Sequence, residues 1–75
     1  MADKVLDTQG LICPLPVLRA KKAMKEVPVG GTLQVRATDP GSVKDFQAFC
    51  GATGYELAQA SEADGIFDFL ITKTA

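Results

Sequence analysis

The residue with the clearest chemistry is Cys13, which stands in the run Gly10-Leu11-Ile12-Cys13-Pro14-Leu15-Pro16, just before a predicted helix. The first N–H groups of a helix are unpaired and lie at the positive end of its dipole, so a thiolate is favoured there. Pro16 supports a helix start, because its fixed φ suits the first turn. We therefore predict a reactive Cys13; the alternative is a small buried residue at a loop–helix junction.

The chain offers no evident base for this thiol, because it contains no histidine. The lack of histidine excludes a Cys–His dyad, a Ser–His–Asp triad and histidine-ligated metals, and two cysteines do not complete a zinc site. We therefore expect neither a metal nor another cofactor. A thiolate on its own can still attack sulfur, in disulfide exchange or by accepting a sulfur atom from a persulfide. These residues favour a carrier over a self-contained enzyme.

Two further residues have both a structural and a functional interpretation. Cys50 falls on the apolar face of the second predicted helix, which is typical of a core residue; the alternative is a resolving or second sulfur-handling thiol. Asp39 precedes Pro40 and is predicted to cap that helix. Its functional interpretation is a polar group at the mouth of the Cys13 site.

The first helix carries four of the eight basic residues, and apolar residues surround Cys13. A basic face is usually just solvated. The alternative is that it docks an acidic partner, in which case its charges would also raise the electrostatic potential around the thiol. The apolar residues either fold under the loop or form an exposed contact patch. The basic residues are Arg19, Lys21, Lys22 and Lys25. The predicted partner-binding residues are Leu11, Ile12, Pro14, Leu15, Pro16, Arg19, Lys21, Lys22 and Asp39.

These residues are positioned by elements that periodicity predicts in the order β-α-β-α-β-β. The predicted strands cover residues 4–8, 32–38, 55–60 and 66–73, and the predicted helices cover residues 16–27 and about 40–53. Asp64-Gly65 is a hairpin signal between the last two strands. Right-handed crossovers place both helices on one face. The expected fold is an α+β, two-layer sandwich with a four-stranded mixed sheet.

In this topology both strand-to-helix loops leave the same edge of the sheet, one with Cys13 and the other with Asp39. If the third strand runs parallel to the first two, the Asp64-Gly65 turn lies at that edge as well. Open α/β sheets commonly bind ligands beyond the carboxyl ends of their strands. Cys13 therefore lies where function is expected, whereas Cys50 does not.

Composition sets broad limits on the class of protein. A chain of 75 residues that is 47% apolar predicts one globular domain over residues 1–75. The net charge of −1 gives no general reason to expect nucleic acid, and we expect no direct DNA binding. No apolar run of about 18 residues is present, so we expect no membrane span. Residues 1–4 do not resemble a signal peptide, which favours a cytoplasmic protein with two free thiols.

Over nearly its whole length the sequence resembles the TusA/SirA-like family of small sulfur-carrier proteins. The stretch from Leu6 to Pro16 looks like the family's opening strand and its Cys-Pro-x-Pro signature. Further landmarks match in order: Asp39-Pro40, Phe49-Cys50, Tyr55-Glu56-Leu57 and Phe69-Leu70-Ile71-Thr72-Lys73. The resemblance implies the same fold and a persulfide on Cys13. A cysteine desulfurase or another sulfurtransferase would load it, and a downstream acceptor protein would receive the sulfur.

The resemblance also implies one of three pathways: tRNA thiolation, molybdenum-cofactor assembly or sulfur oxidation. The tRNA-directed branch carries basic residues where this chain has Gln9 and Ile12, and an acid where it has Leu15, so the partners of that branch are not implied for this chain. We expect a monomeric sulfurtransferase that acts as a carrier in a relay. The alternative is a non-catalytic interaction module in which Cys13 is structural and the basic helix 16–27 binds a protein or RNA partner.

Overall fold

The computed structural model describes residues 4–74 and contains the elements in the predicted order. These are β1 (Lys4–Thr8), α1 (Leu15–Met24), β2 (Thr32–Ala37), α2 (Ser42–Thr53), β3 (Glu56–Ala63) and β4 (Ile66–Thr72). The sheet order is β1-β2-β4-β3, with β1 and β2 parallel and the other two neighbouring pairs antiparallel. The predicted α+β fold with a four-stranded mixed sheet is therefore confirmed.

A single apolar core lies between the sheet and the two helices. The rings of Phe46 on α2 and Phe69 on β4 are both buried, with centroids 4.7 Å apart. Both helices and the central strands contribute to the buried cluster, which contains Ala20, Ala23, Met24, Val27, Leu33, Val35, Ala37, Phe46, Cys50, Phe69 and Ile71. On the opposite, open face of the sheet, Arg36 pairs with Asp68 at 3.2 Å. Burial of both helices in one cluster places them on one face of the sheet.

Helix α1 begins one residue earlier and ends three residues earlier than predicted. Val27, predicted as the last helical residue, is still buried. It lies in a turn in which the N–H groups of Glu26 and Val27 bond to carbonyls three residues earlier. This tighter pattern is common at helix ends, and Pro28 has no N–H with which to continue the helix.

Helix α2 begins at Ser42, and the prediction that Asp39 caps it is wrong. Gly41 occupies the N-cap position, and no side chain makes a capping hydrogen bond. The N–H of Ser42 donates to the carbonyl of Asp39 at 3.0 Å, so the Asp39-Pro40-Gly41 segment forms a turn ahead of the helix. Asp39 is thus too early in the chain to act as the cap, and its carboxylate accepts hydrogen bonds elsewhere.

The inner face of α2 largely follows the predicted pattern. Phe46 and Cys50 are buried and Phe49 is half-buried, whereas Thr53, on the last turn, is exposed. The hydroxyl of Thr53 donates to the carbonyl of Phe49 at 2.8 Å, which satisfies it at the end of the helix. Gly54, the C-cap of α2, has a φ of +84°, the left-handed conformation that favours glycine.

The β3–β4 hairpin turns at Asp64-Gly65, as predicted, and both residues have the positive φ that a two-residue type I′ turn needs. β3 is antiparallel to β4, which is antiparallel to β2, so β3 runs in the same direction as β1 and β2. The Asp64-Gly65 turn therefore lies at the edge where β1 and β2 end. β3 extends to Ala63 rather than residue 60, and β4 ends at Thr72 rather than residue 73.

Within residues 4–74, neither helix is long and apolar enough to cross a membrane.

Candidate functional site

The candidate site lies where the parallel strands β1 and β2 end. Their last residues, Thr8 and Ala37, are register partners, so both chains leave the sheet at the same place. The Thr8 hydroxyl donates to the carbonyl of Arg36 at 2.6 Å, and the N–H of Gly10 donates to the Thr38 hydroxyl at 2.9 Å. These bonds tie the loop that carries Cys13 to the loop that leads into α2.

Asp39 holds the backbone of the Cys13 loop against the second loop. One carboxylate oxygen accepts a hydrogen bond from the N–H of Cys13 at 2.5 Å, and the other accepts one from the N–H of Gly41 at 3.2 Å. A Cβ placed on Gly41 would lie 3.7 Å from the Cβ of Cys13. Cys13 therefore lies against the amino end of α2 as well as ahead of α1.

The Cys13 thiol donates a hydrogen bond to a carboxylate oxygen of Asp45 on α2. Asp45 is not among the residues predicted for the site, and the sequence around Cys13 predicts no base for its thiol. The available signal was topological: if both strand-to-helix loops leave one edge, the first turn of α2 must lie near Cys13. An acidic residue in that turn is then a candidate partner for the thiol, although it reads locally as one more polar residue of a helix.

The pKa of the Cys13 thiol is raised above its ordinary value. The hydrogen bond to Asp45 is the largest cause, followed by partial desolvation and by the negative charges of Asp45 and Asp39. The expectation that the start of α1 favours a thiolate is therefore wrong for the free protein. Asp45 and Asp39 bring negative charge close to the thiol, and a nearby negative charge disfavours a second one.

The two cysteines have the predicted contrast in exposure, with Cys13 exposed and Cys50 buried. Cys50 is 6% exposed within the core, and burial raises the pKa of its thiol. Cys13 is therefore the thiol that a macromolecule can reach in the folded protein.

Large apolar side chains are exposed around Cys13. The exposed fractions are 71% for Ile12, 40% for Leu15 and 54% for Leu18. Leu11 is half-buried and Pro14 is exposed. Pro16, which the sequence analysis placed among the partner-binding residues, is buried, so it supports the start of α1 and does not face a partner.

The basic face of α1 is exposed along the helix, at Arg19, Lys21 and Lys22, and continues to Lys25 just beyond it. Arg19 and Lys22 line a groove between α1 and β1. In that groove Lys4 and Glu26 form an ion pair at 2.9 Å. The charges that raise the Cys13 pKa are those of Asp45 and Asp39.

The fold and site together define a class of protein: a small two-layer α/β domain with one exposed cysteine beyond the carboxyl ends of parallel strands, held by carboxylates. Among the described residues, no group of three or more histidine, cysteine or acidic side chains is arranged to hold a metal ion.

Comparison with known proteins assigns the chain to a family. Residues 4–73 match the model of the family described as sulfurtransferase TusA, and the chain belongs to this family. It is 56% identical over 72 residues to the sulfur carrier protein TusA of Allochromatium vinosum, covering 96% of this chain and 95% of that protein. It is 42% identical over 73 residues to the TusA of Pseudomonas putida GB-1, covering 97% and 91%.

A solved structure agrees with this placement. The crystal structure of a SirA-like protein from Desulfitobacterium hafniense superposes with a TM-score of 0.84 at 31% sequence identity. The superposition covers 96% of this chain and 99% of that protein. The expected TusA/SirA-like family is confirmed by both sequence and fold.

Proposed function

We propose that the protein is a sulfur carrier that accepts sulfur as a persulfide on Cys13 and passes it to a partner protein. The observation that supports this most directly is the exposed thiol of Cys13 at the functional edge of a sulfurtransferase TusA-family fold. The related proteins of A. vinosum and P. putida bear the name sulfur carrier protein. Cys50 is buried and is not proposed to carry sulfur.

Loading and delivery are both exchanges at sulfur. In loading, Cys13 Sγ attacks the terminal sulfur of a donor persulfide, and the donor's own thiol leaves. In delivery, a thiol of the acceptor protein attacks the terminal sulfur now held on Cys13. Exposure of Cys13 lets two partners reach the same atom in turn, and the bond from its N–H to Asp39 keeps the loop in place.

The proposed donor is a cysteine desulfurase or another sulfurtransferase, and the proposed acceptor serves tRNA thiolation, molybdenum-cofactor assembly or sulfur metabolism. The proposed docking surface combines the exposed apolar residues Ile12, Leu15 and Leu18 with the basic face of α1. Apolar groups clustered on a surface are typical of interaction sites. The protein is proposed to act as a single-domain monomer in the cytoplasm, where thiols stay reduced.

Intact-mass analysis after incubation with a cysteine desulfurase and free cysteine tests the proposal. Wild type should gain the mass of one sulfur atom, and Cys50→Ser should do the same. Cys13→Ser should gain none, because sulfur exchange requires the thiol. Circular dichroism should show a normal fold for Cys13→Ser, since the hydroxyl is nearly isosteric at an exposed position. Loading of Cys13→Ser at the wild-type level would contradict the mechanism.

The alternative, a non-catalytic interaction module, is favoured by the exposed basic and apolar residues of α1 taken alone. It predicts that wild type takes up no sulfur from the desulfurase. It also predicts that Cys13→Ser binds the protein or RNA partner as tightly as wild type.

A further inference from the structure

We propose that Asp45 is a catalytic residue of the sulfur transfer: its carboxylate takes the proton from Cys13 as the thiol attacks sulfur, and returns it to the departing group. This role rests on the proposed function as a sulfur carrier. It follows from the hydrogen bond that the Cys13 thiol donates to Asp45, which places the carboxylate on the reacting atom.

The acceptor is held by the core rather than by a loop. Asp45 lies in the first turn of α2, where its N–H donates to the carbonyl of Gly41 at 3.2 Å. The next residue, Phe46, is fully buried and packs on Phe69 with ring centroids 4.7 Å apart. This packing orients α2 so that Asp45 is directed towards Cys13.

The donor is held as well, by a different carboxylate. Asp39 accepts the backbone N–H of Cys13 at 2.5 Å and also that of Gly41 at 3.2 Å. The two acids at the site therefore have separate tasks: Asp39 positions the backbone of Cys13, and Asp45 receives its thiol proton. Both negative charges act on the thiol and raise its pKa.

A raised pKa makes a proton acceptor necessary during the reaction. The raised pKa of Cys13 favours its protonated form, and the proton of that form must leave as the sulfur attacks. The chain has no histidine, and Asp45 is the acceptor of the thiol hydrogen bond. A carboxylate is too weak a base to ionise the resting thiol. The acidity of the S–H bond increases as the new sulfur–sulfur bond forms, and a positioned base then accepts the proton in the transition state.

The step balances without an oxidant or reductant. The Cys13 Sγ lone pair forms a bond to the terminal sulfur of the donor persulfide, and the bond between that sulfur and the donor's inner sulfur breaks. The donor leaves as a thiolate with the electron pair. The Cys13 proton moves to Asp45 and then to this thiolate. The products are a Cys13 persulfide, a donor thiol and an ionised Asp45.

The test uses Asp45→Asn, which keeps the shape of the side chain and removes its basicity. The sulfur source is glutathione persulfide, a small donor that needs no docking surface, and loading is followed by rapid quench and intact mass. Near pH 7 the variant should load about a hundredfold more slowly than wild type, the lower end of the contribution of a general base. The deficit should shrink as pH rises, because solvent then ionises the thiol directly.

A parallel measurement with iodoacetamide gives the result that a merely structural role would not produce. Loss of the charge and hydrogen bond of Asp45 lowers the pKa of the Cys13 thiol, so Asp45→Asn should be alkylated several-fold faster at pH 7. Iodide leaves without a proton, whereas the departing donor thiolate receives one from Asp45, so alkylation and sulfur loading should change in opposite directions. Asp45→Ser removes the same carboxylate in a second way and should show the same pair of effects, so the test does not depend on one variant folding.

Glu56→Gln is the matched control, because it removes one negative charge at the start of β3, on the opposite edge of the sheet. It should change neither rate. If either Asp45 variant is folded and loads sulfur as fast as wild type, or if both reactions speed up together, the proposed role of Asp45 is wrong. If wild type itself takes no sulfur from glutathione persulfide or from the desulfurase, the sulfur-carrier function is wrong instead.

Discussion

Replacing Cys50 with serine measures the structural role of the buried thiol separately from sulfur transfer. Cys50 is 6% exposed and belongs to the core cluster that includes Phe46 and Phe69. A hydroxyl in an apolar site without a partner costs about 1–3 kcal/mol of folding free energy. In a helix, a serine hydroxyl can bond to the carbonyl four residues earlier, here that of Phe46, which offsets part of the cost. We therefore expect a loss of about 1–2 kcal/mol.

This loss is large enough to measure in a protein of this size. A chain of 75 residues is expected to have a free energy of unfolding of roughly 4–11 kcal/mol. The dependence of that energy on urea is about 1 kcal/mol per molar for a small domain. The unfolding midpoint of Cys50→Ser should therefore fall by about 1–2 M urea relative to wild type, as followed by circular dichroism.

Cys50→Ala is the matched control, since it removes the sulfur without adding a polar group.

The same variant isolates the effect of Cys50 ionisation on the pH dependence of stability. Burial raises the pKa of Cys50 in the folded state, whereas the unfolded thiol titrates near its ordinary value of about 8.5. The resulting stability is fully present below the unfolded pKa and is lost as pH rises through the folded pKa. Wild type should therefore lose stability more steeply than Cys50→Ala above about pH 8.

Both Cys50 variants should accept sulfur from a cysteine desulfurase at the wild-type rate at 15–20 °C, where they remain folded. An unchanged urea midpoint for Cys50→Ser would mean that water reaches position 50, and the expected cost of burying a hydroxyl there would be wrong. Loss of loading in a folded Cys50→Ala would show that Cys50 takes part in sulfur transfer.

Two further substitutions test the surface and the geometry of the site. Reversing Lys21 and Lys22 to glutamate should slow sulfur loading from the desulfurase about tenfold at low salt and less at high salt, because charge at an interface mainly sets the association rate. Iodoacetamide reactivity measured in parallel reports any change in the pKa of Cys13. An unchanged loading rate at low salt would mean that the basic face of α1 is simply solvated. Gly41→Cys should form a disulfide with Cys13 on oxidation and block loading until reduced, because a Cβ at position 41 lies 3.7 Å from that of Cys13, within the range of about 3.5–4.5 Å found in disulfides. Two free thiols after oxidation would show that α2 does not begin beside Cys13.

The sequence predicted the fold because the local patterns and the topology rules agree. Alternation in β2 correctly separates the buried Val35 from the exposed Arg36, and the hairpin at Asp64-Gly65 carries its own turn chemistry. The errors fall at element ends. At Asp39-Pro40-Gly41, the residue types of a helix start were present, but the chain makes a separate turn first, and a pattern of residue types does not fix that offset.

Only the part of the site that depends on neighbouring residues in the sequence was predicted. Cys13 was found because a cysteine followed by two closely spaced prolines at the start of a helix can be recognised from the local sequence alone. Its thiolate character was predicted wrongly from the start of α1 and the basic residues of that helix. The dominant charges come from Asp39 and Asp45, which are distant in sequence and reach the thiol only when the sheet has formed. The sequence around Cys13 does not reveal which distant charges lie close to its thiol in the folded protein.

The chemistry of the thiol therefore depends on the parallel pairing of β1 and β2. The register places Thr8 opposite Ala37, and this pairing sets the two following loops side by side. A shift by one residue would turn each strand residue to the other face of the sheet and carry Asp45 away from Cys13. An isolated Cys-Pro-x-Pro peptide would keep the cysteine but lose both carboxylates. The folded domain supplies both carboxylates, which raise the pKa of the Cys13 thiol, and it places Asp45 in hydrogen-bonding contact with that thiol for the proposed sulfur transfer.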